Sequence, residues 1–246
     1  MQNIFNWIPT WERDHGHSNN YQFVFTQEWP LFSQKNQISY TMPMQYSYAE
    51  FPDGTSHQAQ GFGDMLLNYR YQLREGKDGG WWIAPRFSLI FPTGNSAEGF
   101  GKGQLGYQVL LPFSREFKKF AVHFNAGATY TPNVTAGIDP AFSPLLGRDL
   151  HGYDLGASVV YFLKPHFNLM LESVALWDEG LNPDSSRAGT FQLILSPGVR
   201  WSPYTEGDTQ WVVGAAVPVG LTRDAPDIGV FFYMSFENRF MPKKKE

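Results

Sequence analysis

The chain has 246 residues and no cysteine, and only 17% of it is charged, against roughly 25% in an average soluble domain. Its 17% aromatic content is too apolar for a disordered protein. The lack of Cys excludes a disulfide scaffold, cysteine-ligated zinc and a thiol nucleophile, and a net charge of −4 offers nucleic acid no basic field.

A helical membrane span needs about 20 mostly apolar residues. The longest stretch free of Asp, Glu, Lys and Arg, residues 120–138, carries His123, Asn125, Pro132 and Asn133. Residues 1–10 lack the basic and apolar regions of a signal peptide. A secreted protein of this sequence is therefore read as a mature chain whose leader has been removed.

Taken in chain order, candidate strands fall at 4–10, 20–32, 36–45, 62–74, 80–92, 103–113, 119–131, 152–163, 166–177, 189–202, 209–220 and 228–240. Successive side chains on a strand point to opposite faces. From about residue 20 onward the segments alternate, and one face is bulky and apolar. Met65, Leu67, Tyr69, Tyr71 and Leu73 oppose Asp64, Leu66, Asn68, Arg70, Gln72 and Arg74. Phe191, Leu193, Leu195, Val199 and Trp201 likewise oppose Thr190, Gln192, Ser196, Gly198 and Arg200. The ionisable residues Glu28, Asp64, Arg70, Arg74, Arg86, His123, Asp154, Glu172, Arg200, Glu237 and Arg239 all fall on the less apolar face.

Three features place the apolar face outward, in lipid. The opposite face is rich in small residues, the reverse of what a soluble barrel packs inside. The segments of 11–13 residues exceed the usual 5–6 of globular strands and approach the 9–11 that cross a bilayer at a tilt. Trp81, Trp177, Trp201, Trp211, Tyr130 and Tyr161 lie near segment ends, where interfacial girdles belong.

Short gaps (33–35, 75–79, 114–118, 164–165, 203–208) alternate with mostly longer ones (45–61, 93–102, 132–151, 178–188, 221–227). Outer-membrane barrels have short periplasmic turns and longer extracellular loops. Parity then requires a first strand at 4–10, with 11–19 as its loop, despite Pro9 and weak alternation. The expected fold is all-β: a transmembrane antiparallel up-and-down barrel of 10–12 strands, twelve by parity. Residues 1–240 form its single domain and 241–246 a basic tail. The location expected is the outer membrane of a Gram-negative bacterium.

The run Gly61-Phe-Gly-Asp-Met-Leu-Leu-Asn-Tyr-Arg-Tyr71 is followed by Ile83-Ala-Pro-Arg-Phe-Ser-Leu-Ile-Phe-Pro-Thr-Gly-Asn95, Gly99-Phe-Gly-Lys-Gly-Gln-Leu-Gly-Tyr107 and Phe124-Asn-Ala-Gly-Ala-Thr-Tyr130. In this order the motifs resemble an outer-membrane family named for a meta-pathway of phenol degradation. The resemblance implies a β-barrel passing small molecules, aromatic or hydrophobic ones among them. Residues 230–240 also resemble the C-terminal strand signal of outer-membrane proteins.

Inward charges either brace the wall by pairing or set the field of a constriction. The residues placed in the lumen on this reading are Arg70, Arg74, Arg86, His123, Glu172, Arg200, Glu237 and Arg239. The function expected is a passive, porin-like channel. The alternatives are a lipid hydrolase and a non-conducting structural or surface-recognition barrel. Gly99-Phe-Gly-Lys-Gly lacks the helix and Lys-Ser/Thr ending of a phosphate loop, and His15-Gly-His17 lacks a third metal ligand. Neither a catalytic set, a metal nor a cofactor is called for. The partners implied are the lipid bilayer with its lipopolysaccharide, a small-molecule permeant and the barrel-assembly machinery, with no nucleic acid.

Overall fold

Strands that are greasy on one side and polar on the other satisfy both edges only by closing into a ring. The computed structural model describes residues 1–12, 17–51, 53–76, 79–138, 147–206 and 209–238. Its strand segments are β1 (Gln2–Glu12), β2 (His17–Leu31), β3 (Ser33–Glu50), β4 (Ser56–Phe62), β5 (Met65–Tyr71), β6 (Trp82–Ile83), β7 (Arg86–Phe91) and β8 (Gly106–Glu116). They continue with β9 (Phe120–Val134), β10 (Arg148–Lys164), β11 (Phe167–Leu181), β12 (Arg187–Glu206), β13 (Thr209–Ala216), β14 (Val219–Gly220), β15 (Ile228–Gly229) and β16 (Phe231–Glu237).

The pairs β4–β5, β6–β7, β13–β14 and β15–β16 are each one barrel strand with a short break, so sixteen segments make twelve strands. All pairings are antiparallel between sequence neighbours, and β1 closes the ring against β15 and β16, from Gln2 opposite Glu237 to Trp11 opposite Ile228. The first strand, argued from parity, is regular. Its register to β2 runs unbroken from Gln2–Glu28 to Glu12–Ser18, and Trp7 stacks on Phe232 at 5.5 Å. Pro9 fits beside the β15–β16 break, where its carbonyl accepts the Val230 N–H.

The apolar face is the outer one. On β10, Tyr153, Leu155, Val159, Tyr161 and Leu163 are exposed, while Asp154, Gly156 and Ser158 line an interior cavity. The same alternation exposes Leu67 and Tyr69 on β5, Tyr107 and Val109 on β8, and Phe232 and Met234 on β16. Trp177, Trp201, Trp211 and Tyr204 stand exposed near strand ends as an aromatic girdle, whereas Trp82 is in register with Ser114 on the inner face. Arg115, Asp149 and Glu179 break the sorting of charges, and each lies near a strand end. Arg115 sits over the rings of Trp81 and Phe117 at 5.9 and 5.0 Å, a cation–π arrangement suited to the edge of the apolar band.

Strand ends are where the sequence reading is corrected. The loop expected at 45–61 is a hairpin, because β3 runs to Glu50 and pairs with β4 from Met44–Phe62 to Glu50–Ser56. Strands likewise reach Val134 and start at Arg148, and 178–188 shrinks to a turn between Leu181 and Arg187. The turn expected at 33–35 reduces to Phe32, at φ 60°. Polar hairpins rising into water keep their ladders without needing an apolar face, so alternation stops marking them.

Candidate functional site

The interior wall follows from strand register. Arg70 on β5 stands directly opposite Arg86 on β7. The Arg70 guanidinium donates to Gln37 Oε1, and Arg86 donates to Gln108 Oε1 at 3.4 Å. The charges acting on Arg86 are Glu28 and Asp154, which attract it, and Arg70, which repels it. One level along the same wall, Ser39, Asn68 and Ser88 are neighbours by register and nearly inaccessible, Asn68 at 2% and Ser88 at 0%. This side of the interior is packed.

The other side is open. A cavity of about 540 Å³ lies along β8–β11, lined by Gln108, Ser114, His123, Asn125, Asp154 and Glu172 among polar groups, and by Leu110, Pro112, Val174 and Leu176. A second, of about 210 Å³, lies along β11–β16 and includes Met170, Arg200, Phe231 and Tyr233. Glu172 borders both. Small residues make the room: Gly156 lines the first cavity, and Gly198 and Gly214 line the second.

Of the residues assigned to the lumen, His123, Glu172 and Arg200 converge on these two cavities, and the Arg200 charge acts on His123. Arg70 and Arg86 form the facing pair on the packed wall. Arg74 and Glu237 lie exposed at the end that carries the short turns. Arg239 lies outside the described residues, as do His15 and the tail. Among the described residues, Arg70, Arg86 and Arg200 form no ion pair within 4.0 Å; the pairs present include Lys35–Glu75, His57–Glu98 and His151–Glu179. Among the described residues these three inward arginines therefore do not lock onto inward carboxylates.

Three residues escaped the sequence reading. Ser114, taken for a turn residue, shares a 2.8 Å hydrogen bond with His123 Nδ1. Their pairing follows from the β8–β9 hairpin register, Glu116 opposite Ala121 and Ser114 opposite His123. Asp178, taken for the start of a loop, continues the inward series of β11 and stands opposite Gly152. Lys102, taken for a loop residue, has its Nζ bonded to the Glu179 carbonyl at 2.9 Å.

Asp64, read as an inward charge, is engaged by the backbone of a neighbouring loop. It sits at the β4–β5 break, and its carboxylate accepts the N–H groups of Gly94 and Lys102, each at 2.9 Å. A Cβ on Gly94 or Gly101 would strike the Asp64 carboxylate. Those glycines permit this close approach, which accounts physically for the order of motifs along residues 61–103. Among the described residues no group of three His, Asp or Glu is placed to hold a metal ion.

A closed twelve-stranded antiparallel ring with an outward apolar band and aromatic girdle defines an outer-membrane β-barrel. The sequence matches no protein-family model and no curated protein. Among solved structures, the COG4313 outer membrane channel from Pseudomonas putida F1 superposes with a TM-score of 0.65 at 12% identity, over 96% of this chain and 94% of that one. The transport unit of the autotransporter AIDA-I from Escherichia coli gives 0.57 at 9% identity, over 97% and 89%. The NanC porin gives 0.52 at 9% identity, over 96% and 100%. At these identities the likeness concerns the fold. It agrees with an outer-membrane barrel and does not reach the narrower phenol meta-pathway family that the motifs resemble.

Proposed function

We propose that the protein is a passive conduit that lets small molecules cross the outer membrane down their gradient. The observation that carries this reading is the pair of interior cavities meeting at Glu172 inside a closed ring. Twelve strands lie between the eight that side chains fill and the 16–18 that leave a wide channel. The half-open interior agrees with that intermediate size. Two of the three solved barrels compared above are described as a channel and a porin, which supports the same reading.

The lining mixes Leu110, Pro112, Val174 and Leu176 with amide, hydroxyl and charged groups. It suits compact molecules with an apolar body and a polar edge, aromatic ones among them. The motif resemblance to the phenol meta-pathway family points the same way. In this reading Arg70, Arg86, His123, Glu172 and Arg200 set the width and field of the path, with Arg74 and Glu237 toward its periplasmic end. The surrounding partners are the bilayer with its lipopolysaccharide and, during insertion, the assembly machinery. Liposome swelling with refolded protein tests the proposal. Solute influx faster than in protein-free vesicles is expected, and no flux of any small solute would overturn it.

The Ser114–His123 hydrogen bond favours a second reading, ester hydrolysis within the lumen. Among the described residues Glu172 makes no hydrogen bond to His123, so the third member of a triad is not in place. This reading requires ester turnover in detergent that is abolished by both Ser114→Ala and His123→Ala.

A further inference from the structure

We infer that residues 93–105 form a strap docked on one wall of the extracellular mouth, that the Lys102 side chain bridges from it to the facing wall, and that Lys102 determines which charges enter. The inference rests on the conduit reading above. The near end of the strap is fastened to the inner face of the fourth barrel strand, β4–β5. His57 pairs with Glu98 at 2.9 Å, and the Phe100 ring lies 3.5 Å from where a Gly61 Cβ would stand. Thr93 Oγ1 donates to the Gly63 carbonyl at 3.1 Å and accepts the Met65 N–H at 2.9 Å, beside the two amides held by Asp64.

The far end is fastened by Lys102 Nζ to the Glu179 carbonyl of β11, the ninth barrel strand. From the fourth strand to the ninth is five steps round a ring of twelve, one short of diametrically opposite. The Lys102 N–H is itself held by Asp64 at the near wall, so the crossing to the facing wall is made by the Lys102 side chain. Phe100 is buried, and Gly94 and Gly101 meet Asp64 too closely for any side chain. The strap is therefore held in place at both ends.

The charge that makes the crossing is an ammonium. It acts on Asp178, and below it the open path carries Asp154 and Glu172. Charge at a narrow crossing is felt by every permeant. Lys102 thus offsets an otherwise acidic entrance, and its removal turns the mouth toward cations.

The test is single-channel recording in planar bilayers under a KCl gradient, with wild type, Lys102→Met and Asp64→Ala, each first shown folded by its heat-dependent gel shift. Lys102→Met is expected to raise conductance and to increase the K⁺-over-Cl⁻ permeability ratio by about twofold or more. Asp64→Ala, which frees the near end, is expected to raise conductance and add open-state flicker. A silent wild type with conducting variants also supports the strap. A conducting wild type with unchanged Lys102→Met overturns the strap alone. Silence of all three overturns the conduit reading, and the strap's filtering role with it.

Discussion

Arg70 and Arg86 face each other directly across the β5–β7 ladder on the inner wall, two like charges in register. Such pairs destabilise a sheet unless offset. Here Gln37 and Gln108 bind the guanidinium groups, and Glu28 and Asp154 supply opposing charge to Arg86. Glu28→Gln is therefore expected to destabilise the barrel by about 1–2 kcal/mol, and Arg86→Gln by less because it also relieves the repulsion. Urea midpoints of refolded protein check the order; equal midpoints for wild type and Glu28→Gln would contradict it.

Neighbouring residues on one strand meet opposite solvents. Leu171 is 48% exposed on the outer face, while Glu172 borders both interior cavities. A cation on the lipid face near the bilayer midplane costs about 2–4 kcal/mol. Leu171→Arg should lose about that much stability in lipid vesicles, whereas Glu172→Arg should fold nearly as wild type and change conductance instead.

Alternation made the two faces of the barrel legible, because lipid imposes one rule on every spanning strand. Leu67, Leu155 and Trp201 could be set outward and Arg86, Asp154 and Glu172 inward without knowing any contact. The rule lapses above the membrane, so Tyr46, Tyr48, Gln58 and Gln60 read as a loop although they pair within a hairpin. Asp64 was legible as an inward charge, but its acceptance of the Gly94 and Lys102 amides joins residues 30 and 38 positions away. No local pattern signals such partners. Ser114 is the intermediate case, since counting back from the turn at 117–119 would have set it beside His123.

Two glycines separate close packing from backbone freedom. A Cβ at Gly127 would collide with the Asp154 carboxylate and with Leu110, whereas nothing lies within 4 Å of one at Gly189. Gly127→Ala is expected to cost about 1–3 kcal/mol through overpacking and to displace Asp154. Gly189→Ala should be neutral or slightly stabilising, by up to about 1 kcal/mol. The same urea assay distinguishes them.

The tips of two extracellular hairpins use one device. Asp53 accepts the Thr55 N–H and hydroxyl at 2.9 and 2.6 Å, and Asp184 accepts those of Ser186 at the same distances. These bonds, the hydroxyl first, hold both carboxyls below their usual value of 3.8. A depressed carboxyl contributes stability that is present above the unfolded value and is lost as pH falls through the folded one. The tips are expected to stay closed from neutral pH down to about 4 and to loosen below it. Pepsin cleavage near residues 53 and 184 should rise on acidification in wild type, and Asp184→Asn should already be cleaved faster at pH 4.

The side on which the bulky apolar residues lie is measured most directly by spin-label accessibility, which the absence of native cysteine makes straightforward. Labels at Leu67→Cys and Phe236→Cys in liposomes should collide with oxygen and be shielded from a water-soluble nickel chelate. Labels at Glu172→Cys and Arg200→Cys should show the reverse. Nickel access at positions 67 and 236 equal to that at 172 and 200 would contradict a lipid-facing apolar band around an aqueous interior.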